Sequence, residues 1–598
     1  MRHLQMLTVF LGFFALVFEC LGTLLQNPSQ LDPMRTYDFI IAGGGTAGCV
    51  LANRLSEDGQ YNVLLVEAGS SDYNNLNIQI PQFAGKLGGT VFDWNFTTTP
   101  QPGLNNRSIA FQRGHVLGGS ASVNYMALTR GSRDDWDRFA NVTNDEGWSW
   151  KSMLPYAKKL EHFVSPIDGR NINNEVDWSV HGRHGPLHAS VPGYHVSTDD
   201  RVLQATRELS SEFPFNRDIN SGDTIGIGVI QIANGQRQSA ATSYLAPVLH
   251  RANLDVLVNT HVTKLLATGT DHGLAVFRSV QLGQPGSGKI YVVNASREVI
   301  VSTGAAKTPQ LLMLSGIGNH AELARFDIDT LVHAPGVGKN LQDPPFVASS
   351  FTVASSHTLD ALRQPAFAAA QLVLWKTNRT GVLGLPSANQ YGWFRLPLSA
   401  NVEDPSAGPT SAHWEITLSD SFTGPIPPPN GSFLTVGTAV VSPTSRGTIS
   451  LASTNPFDAP SIDPRFLSSA FDVFTMREAV KAMRRFVHAH TWDGWVVDEF
   501  GELKEARTDR EIEAYVGRNA VTINHVCGTV AMGVQGPLNA DLSVKGTVGL
   551  RVVDASAFPF IPAAHTQAPT YMLAERAADL IRGFYAMYEQ RDEAWFGL

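Results

Sequence analysis

The sequence predicts an α/β fold, α+β overall, in which a Rossmann-type domain is interleaved with a second domain built on an antiparallel sheet. A β-rich run over Thr36 to Ala42 leads through a glycine-rich turn into a helical segment, which is how a Rossmann unit opens. Glycine-rich segments recur as far as Gln567, so this domain is assembled from discontinuous pieces. The stretches between them carry strand patterns such as Phe433 to Val441, which favour a sheet in the second domain.

The composition is that of a globular protein with a large core. Of 598 residues, 43% are hydrophobic and 17% are charged, which excludes disordered and low-complexity classes. The 45 basic and 54 acidic residues give a net charge of −9, whereas nucleic-acid-binding proteins carry a basic surface. Three cysteines are too few for a disulfide scaffold. The length predicts two large domains, and the charge predicts no nucleic-acid partner.

Residues 1–22 predict an export signal peptide. Arg2 gives a basic start, and the apolar run Leu7 to Phe18 is short of the roughly 20 residues that a membrane span needs. Cys20 and Gly22 suit a cleavage site. An uncleaved anchor and a buried helix are the alternatives, and no later stretch reaches a spanning length. We therefore expect a secreted, extracellular protein without a membrane span.

The remaining cysteines and the glycosylation sites fit an exported protein. Removal of the signal peptide leaves Cys49 and Cys527, which we expect to be free thiols because both lie inside the motifs described below. Six Asn-x-Ser/Thr sites predict N-glycosylation, although several would occur by chance in a chain of this length. They are Asn95, Asn106, Asn141, Asn294, Asn378 and Asn430.

The first motif is a glycine-rich turn between a strand and a helix. Thr36 to Ala42 is followed by GGGTAG, which starts at Gly43, and by the helical run Cys49 to Ser56. The glycines allow a tight turn and close approach of a pyrophosphate, to which the helix N-terminus offers N–H groups. A second strand, Tyr61 to Val66, ends in Glu67, where a carboxylate accepts ribose hydroxyls. The alternative is a glycine turn beside a surface glutamate, and the pattern does not separate NAD from FAD.

Further glycine-rich segments lie far from this turn and indicate a longer cofactor. The segment Arg113 to Met126 contains a Gly-Gly-Ser run, which allows the backbone to pack against a second flat or charged portion of a long cofactor. Gly304 to Gly318 is a turn followed by an apolar helix. Near the end of the chain, the strand Gly549 to Ala555 precedes His565-Thr566-Gln567, which opens the last helix.

In their order and spacing, these segments resemble the glucose–methanol–choline (GMC) family of FAD-dependent oxidoreductases over Thr36 to Arg582. The segments are GGGTAG, RGHVLGGSASVNYM, GAAKTPQLLMLSGIG, NHVCGT and HTQAP. Within the family the chain is most similar to fungal aryl-alcohol oxidases, in the stretches Phe92 to Asn95, Asp145 to Trp148 and Ser411 to Glu415. Pyranose dehydrogenases are similar over the same span.

The resemblance implies bound FAD and assigns its contacts. The residues implied for the ADP half are Gly43, Gly45, Thr46, Ala47, Gly48 and Glu67, with Val262 at the adenine. Those implied for the flavin, ribityl and pyrophosphate parts are Gly118, Gly119, Ser122, Asn124, Asp554, Ala555, Thr566 and Gln567. Family members that attach FAD covalently use a histidine where this chain has Val123, so we expect noncovalent FAD.

Two histidines are the candidate catalytic residues. His525 lies in NHVCGT and His565 in HTQAP, 40 residues further on. Oxidation of an alcohol removes a hydroxyl proton and a hydride, and a neutral imidazole can take the proton. The resemblance assigns His525 as the base and His565 as the partner that holds the alcohol oxygen. The alternative is two structural histidines.

A pocket for aromatic alcohols should have aromatic walls. The resemblance points to Phe111 and Phe422 as these walls, although core packing is the usual location of a phenylalanine. Asn524 stands where aryl-alcohol oxidases typically have phenylalanine, and we expect it to contact substrate. His115 and Ala121 also depart from the family pattern.

One histidine cluster resembles a metal site only superficially. His181, His184 and His188 have a spacing that suits a transition metal. Gly182 and Pro186 break any helix that would align the three rings on one face. We therefore expect no metal.

The motif positions divide the chain into interleaved domains. After the signal peptide, the FAD-binding domain is predicted over 36–130, 231–345 and 511–592. The substrate-binding domain is predicted over 131–230 and 346–510. The cleft between them is the expected active site.

The predicted function is oxidation of primary benzylic or allylic alcohols to aldehydes, with hydride passed to flavin N5 and O₂ reduced to H₂O₂. The expected partners are the small alcohol and O₂ or a quinone, and the chain is expected to be a monomer. The alternatives are a pyranose or sugar dehydrogenase that uses quinone acceptors and a flavin-binding protein without catalysis.

Overall fold

The computed structural model describes residues 24–229, 235–424 and 426–596, with side chains as far as residue 587. The predicted signal peptide, residues 1–22, lies outside the described residues. Within them, no helix is long and apolar enough to cross a membrane.

The described residues form helices and strands in alternation along the chain. The α-helices, α1 to α11, are Thr46–Leu55, Leu76–Gln79, Arg133–Thr143, Trp150–Leu160, Asp199–Glu208, Gly304–Leu314, His320–Leu323, Pro365–Asn378, Ala470–Val487, Asp509–Asn519 and Gln567–Phe596. The strands, β1 to β24, are Leu24–Leu25, Tyr37–Ala42, Val63–Val66, Phe96–Thr97, Ala110–Phe111, Glu161–Phe163, Leu187–Ala189, Gly226–Val229, Leu254–Leu257, His261–Asp271, Leu274–Gly283, Ile290–Val301, Ile317–Gly318, Val332–His333, Pro345–Val353, Gln390–Phe394, Trp414–Ser419, Phe433–Val440, Thr448–Ser450, Ser461–Asp463, Val496–Glu499, Val521–Thr522, Thr547–Val548 and Leu550–Val552.

The first sheet has a parallel centre covered by helices. Its strands run in the order β1-β9-β3-β2-β12-β11-β10, and β9, β3, β2 and β12 pair in parallel. The four residues of β3 are all buried, which is typical of a parallel strand covered on both faces. Helix α11 packs against α1 and α4, and Arg54 of α1 pairs with the buried Glu575 of α11 at 2.7 Å. This layer holds the glycine-rich turn.

The second sheet is antiparallel. Its strands run in the order β16-β17-β18-β15-β21, and β22 pairs with β15. Helix α9 packs on β18 and buries Met476, Val480 and Met483 against it. The predicted fold class, a Rossmann-type domain interleaved with a domain on an antiparallel sheet, is confirmed.

Core packing places two segments differently from the predicted boundaries. Trp136, Trp148 and Ala189 belong to the core of the first sheet, so much of residues 133–191 packs with the nucleotide-binding layer, while Asp135 also accepts a hydrogen bond from Ser411. Strand β22 lies inside the predicted segment 511–592 but pairs with the second sheet. Helix amphipathicity indicates which face of a helix is buried, and it does not identify the core that buries it.

Candidate active site

The glycine-rich turn lies between β2 and α1. Gly43 has a φ of +104°, a region that L side chains rarely adopt, and a Cβ on Gly48 would lie 1.9 Å from the Gly43 carbonyl oxygen. Helix α1 begins at Thr46, and no side chain caps its N-terminus. Its first N–H groups are therefore available to a phosphate, as the motif predicts.

Glu67 follows β3 and faces the same turn. Its carboxylate accepts hydrogen bonds from the backbone N–H of Gly44 at 2.8 Å and of Gly69 at 2.7 Å. Burial raises the pKa of Glu67 to about 7. A buried carboxylate at this end of a parallel strand is the ribose acceptor of a Rossmann unit.

The second glycine-rich segment packs directly on the first. The Gly118 N–H donates to the Gly44 carbonyl oxygen at 2.7 Å, and a Cβ on Gly119 would lie 2.7 Å from the Gly45 Cα. Asp554 accepts from the Gly304 N–H at 2.9 Å, which ties the last strand segment to the start of α6. These contacts bring the glycine-rich segments of the chain together.

One cavity of about 480 Å³ joins these segments to the histidine pair. The predicted cofactor residues that line it are Gly43, Gly45, Thr46, Ala47, Glu67, Gly119, Asn124, Val262, Asp554, Ala555, Thr566 and Gln567. Val123 lines it as well, whereas Gly48, Gly118 and Ser122 are absent from the lining, and the Ser122 hydroxyl donates to the Leu117 carbonyl oxygen at 2.7 Å. The volume lies within the range of cofactor and ligand sites.

The two candidate catalytic histidines meet at one end of this cavity. Their ring centroids lie 4.5 Å apart with the planes at 71°. The backbone N–H of His525 donates to Asp343 at 2.9 Å, and the Thr522 hydroxyl donates to the same carboxylate. Burial lowers the pKa of His525 well below its usual value, and the neighbouring His565 and Arg113 lower it further, so the ring is neutral and able to accept a proton.

His565 is oriented by Glu415, a residue to which the sequence assigned no role. Its Nε2 lies 2.8 Å from Glu415 Oε1, and Glu415 is 0% exposed. A carboxylate only accepts, so the Nε2 of His565 carries the proton of this hydrogen bond. An acidic residue within the buried strand Trp414–Ser419 requires a partner, and this was the sequence signal for Glu415.

Replacing Glu415 by glutamine is expected to slow flavin reduction by about tenfold or more while FAD remains bound, because the orienting carboxylate charge is lost. The measurement is anaerobic bleaching of the flavin absorbance by substrate. Glu499 is a matched control, since it is also buried but pairs with Arg484 outside the cavity lining. Equal reduction rates in Glu415→Gln, Glu499→Gln and the unmodified protein would contradict this role.

The residues predicted as aromatic walls lie outside the cavity lining. Phe111 is buried in the core of the second sheet, and Phe422 packs against Phe433 and Phe500. The aromatic side chains in the cavity lining include Phe346 and Tyr391. A phenylalanine in a core and one in a pocket wall have the same sequence pattern, so the sequence does not separate the two positions.

The cavity lining also contains polar groups. Hydroxyl side chains from Thr417, Ser419 and Thr423 belong to it. Asn524 lines the cavity too, with a φ of +66°, and its buried Oδ1 has no hydrogen-bond partner among the described residues. An unpaired buried acceptor of this kind fits a hydroxyl donor on a bound molecule.

In the histidine triplet with metal-like spacing, His181 belongs to an ionic cluster. His181 lies between Glu161 at 2.9 Å and Asp218 at 2.8 Å, and Arg130 pairs with Glu161 at 2.7 Å. These carboxylates raise the pKa of His181. In the described part of the chain, no group of three or more His, Cys, Asp or Glu side chains is arranged to hold a metal ion.

A phosphate-binding turn, a buried carboxylate and a histidine pair along one cavity define an oxidoreductase with a bound nucleotide cofactor. Family models described as GMC oxidoreductase match residues 37–346 and 443–574. The chain belongs to the GMC oxidoreductase family, and its cofactor is FAD.

Relatives match over nearly the whole chain. Pyranose dehydrogenase 3 of Leucoagaricus meleagris is 37% identical over 94% of this chain and 95% of its own length. Dehydrogenase eriK of Hericium erinaceus is 35% identical over 96% of this chain and 98% of its own. Among solved structures, a formate oxidase variant of Aspergillus oryzae has a TM-score of 0.84 at 27% identity, covering 93% of this chain and 100% of that one. A fungal aryl-alcohol oxidase has a TM-score of 0.80 at 25% identity, covering 92% and 99%.

The residues present fit FAD. The uncapped N-terminus of α1 and the side-chain-free surface at Gly45 accommodate a pyrophosphate, and Glu67 lies where a ribose binds. The cavity then continues past Gly119 to His525, which leaves length for a flavin beyond the ADP half. The first motif alone does not distinguish NAD from FAD. The second half of the cavity favours FAD, because it has room for the flavin.

Proposed function

We propose that this protein oxidises a hydroxyl group of a sugar, with His525 as the proton acceptor. Bound FAD supplies the hydride acceptor. The alcohol would lie beside the two rings, where neutral His525 takes its hydroxyl proton and the ring of His565 packs against it. Glu415 holds the ring of His565, and Asp343 fixes the backbone at His525 through the hydrogen bonds given above.

The hydroxyl and amide lining of the cavity carries the sugar proposal. A pyranose presents a ring of hydroxyls and an apolar C–H face, and the cavity offers both kinds of partner. Thr417, Ser419 and the unpaired Asn524 oxygen suit the hydroxyls, while Tyr391 and Phe346 suit the C–H face. The named pyranose dehydrogenases support this substrate class, and for the same reason we propose a quinone as the electron acceptor.

Oxidation of aromatic primary alcohols with O₂ as acceptor is the second candidate. The two rings of Tyr391 and Phe346 favour it, because a benzylic alcohol can pack between aromatic side chains. The structural similarity to a fungal aryl-alcohol oxidase supports it as well.

A two-substrate test separates the candidates. Purified holoprotein is mixed anaerobically with glucose or with 4-methoxybenzyl alcohol, and flavin bleaching is recorded. We expect glucose to bleach the flavin faster, with reoxidation by benzoquinone faster than by air. Faster bleaching by the aryl alcohol, with peroxide formed in air, would favour the second candidate. No bleaching by either would indicate a flavin-binding protein without alcohol oxidation.

We also propose that the protein is secreted, N-glycosylated and monomeric and binds FAD noncovalently. The six Asn-x-Ser/Thr asparagines are all exposed, which supports glycosylation. The apolar side chain of Val123 at the cavity wall has no nucleophilic atom for a flavin bond, which supports noncovalent FAD. Release of FAD by acid precipitation, together with a mass shift on glycosidase treatment, tests both points.

A further inference from the structure

A buried arginine lies behind the cavity wall with no carboxylate to balance it. Arg237 is 2% exposed, and among the described residues no Asp or Glu side chain lies within ion-pair distance of it. Its Nε donates to the Ile78 carbonyl oxygen at 2.7 Å, and its Nη2 has no partner in the described part of the chain. Burial lowers the pKa of Arg237 to about 9, which still leaves the guanidinium charged at pH 7. A buried unpaired charge is costly, so a compensating anion is expected.

The hydrogen bonds of Arg237 lead toward the cavity. Arg237 Nη1 lies 2.8 Å from Asn124 Oδ1, and Asn124 Nδ2 lies 2.8 Å from Gln567 Oε1. Both Asn124 and Gln567 line the cavity, whereas Arg237 does not.

The direction of this chain of hydrogen bonds is fixed from its buried end. A guanidinium only donates, so the Asn124 oxygen must face Arg237 and the Asn124 amide must donate to Gln567. Gln567 then accepts through Oε1, so its Nε2 is the donor end of this chain. Helix α11 begins at Gln567, and the positive end of its dipole lies at the same place.

Three sources of positive potential therefore converge beside the expected flavin position. They are the Arg237 charge, the donors of Asn124 and Gln567, and the N-terminus of α11. Reduction of a flavin by two electrons and one proton adds one negative charge to it, and a fixed positive potential stabilises the product of that reduction more than the oxidised form.

We propose that Arg237 is a positioning residue that raises the two-electron reduction potential of the bound FAD, through its charge and through the amide orientation that it imposes on Asn124 and Gln567. This inference depends on FAD binding and is independent of which alcohol the protein oxidises. Its readout is an equilibrium property of the flavin and does not require turnover.

The test is the reduction potential of three holoprotein variants, measured by equilibration with a redox dye. Arg237→Met and Arg237→Gln both lose the charge, and glutamine can still donate to Asn124. Each is expected to lower the equilibrium constant for two-electron reduction by about tenfold or more, a potential about 30 mV more negative. Arg237→Lys keeps the charge and is expected to remain nearer the unmodified protein.

Arg484→Met is the matched control. Arg484 is a partly buried arginine paired with Glu499 and lies outside the cavity lining. Its loss is expected to lower the melting temperature without moving the potential. Potentials of Arg237→Gln and Arg237→Lys that both equal that of the unmodified protein would overturn the proposal. If Arg237→Met does not retain FAD, the glutamine and lysine variants decide the question.

Discussion

Replacing His525 by alanine is expected to slow reduction of the bound flavin by a factor on the order of 10²–10⁴, because it removes the buried, neutral imidazole that accepts the hydroxyl proton. The Nε2 of His565 is engaged by Glu415, and Arg113 carries no free lone pair. The measurement is single-turnover bleaching of the flavin under anaerobic conditions with the substrate found in the two-substrate test.

Two comparisons make this result specific. His272 is 95% exposed, so His272→Ala is a control that is expected to leave the rate unchanged. His525→Gln retains a polar side chain of similar length and lacks the basic nitrogen, and it is expected to be as slow as the alanine variant. Reduction of His525→Ala at the unmodified rate would show that another group takes the proton.

Gly45→Ala is expected to fold and to lose FAD. A Cβ at Gly45 meets nothing closer than 3.8 Å in the protein, and the backbone there is at φ −82°. The methyl group would instead occupy the surface that the pyrophosphate approaches, so FAD affinity is expected to fall tenfold or more, about 1.4 kcal/mol. The measurement is the flavin-to-protein absorbance ratio together with the far-ultraviolet circular dichroism spectrum.

Gly48→Ala separates cofactor binding from folding. A Cβ there would lie 1.9 Å from a backbone oxygen of Gly43, which cannot move without distorting the turn. We expect a loss of about 3 kcal/mol or more in the free energy of unfolding. If Gly48→Ala melts at the same temperature as Gly45→Ala, the close approach of α1 to the turn does not contribute to stability.

The nucleotide-binding part of the fold could be predicted from sequence because its signals are local. Local sequence alone determines the backbone conformation at the turn of Gly43 and at the start of the helix at Thr46. The acidic residue after β3 lies at a fixed place relative to that turn. The allocation of residues 133–191 could not be predicted in this way. Their buried faces are visible in the sequence, but the core that receives them is formed by segments hundreds of residues away.

The same distinction holds within the active site. His525 and His565 could be named because each lies in a recognisable motif, although their 4.5 Å separation could not. Glu415 and Asp343 act through partners that lie 150 and 182 residues away in the chain, so no short pattern reveals them. The placement of Phe111 and Phe422 outside the cavity lining could not be predicted either, because hydrophobicity does not distinguish a core from a pocket wall.

The position of α11 in the chain has a consequence for protein synthesis. Its residues pack on α1, which leaves the ribosome more than 500 residues earlier, and Glu575 supplies the buried partner of Arg54. The first layer therefore cannot be completed until α11 has been synthesised. Until then this part of α1 lacks its helical cover, and apolar surface exposed in this way is prone to aggregation.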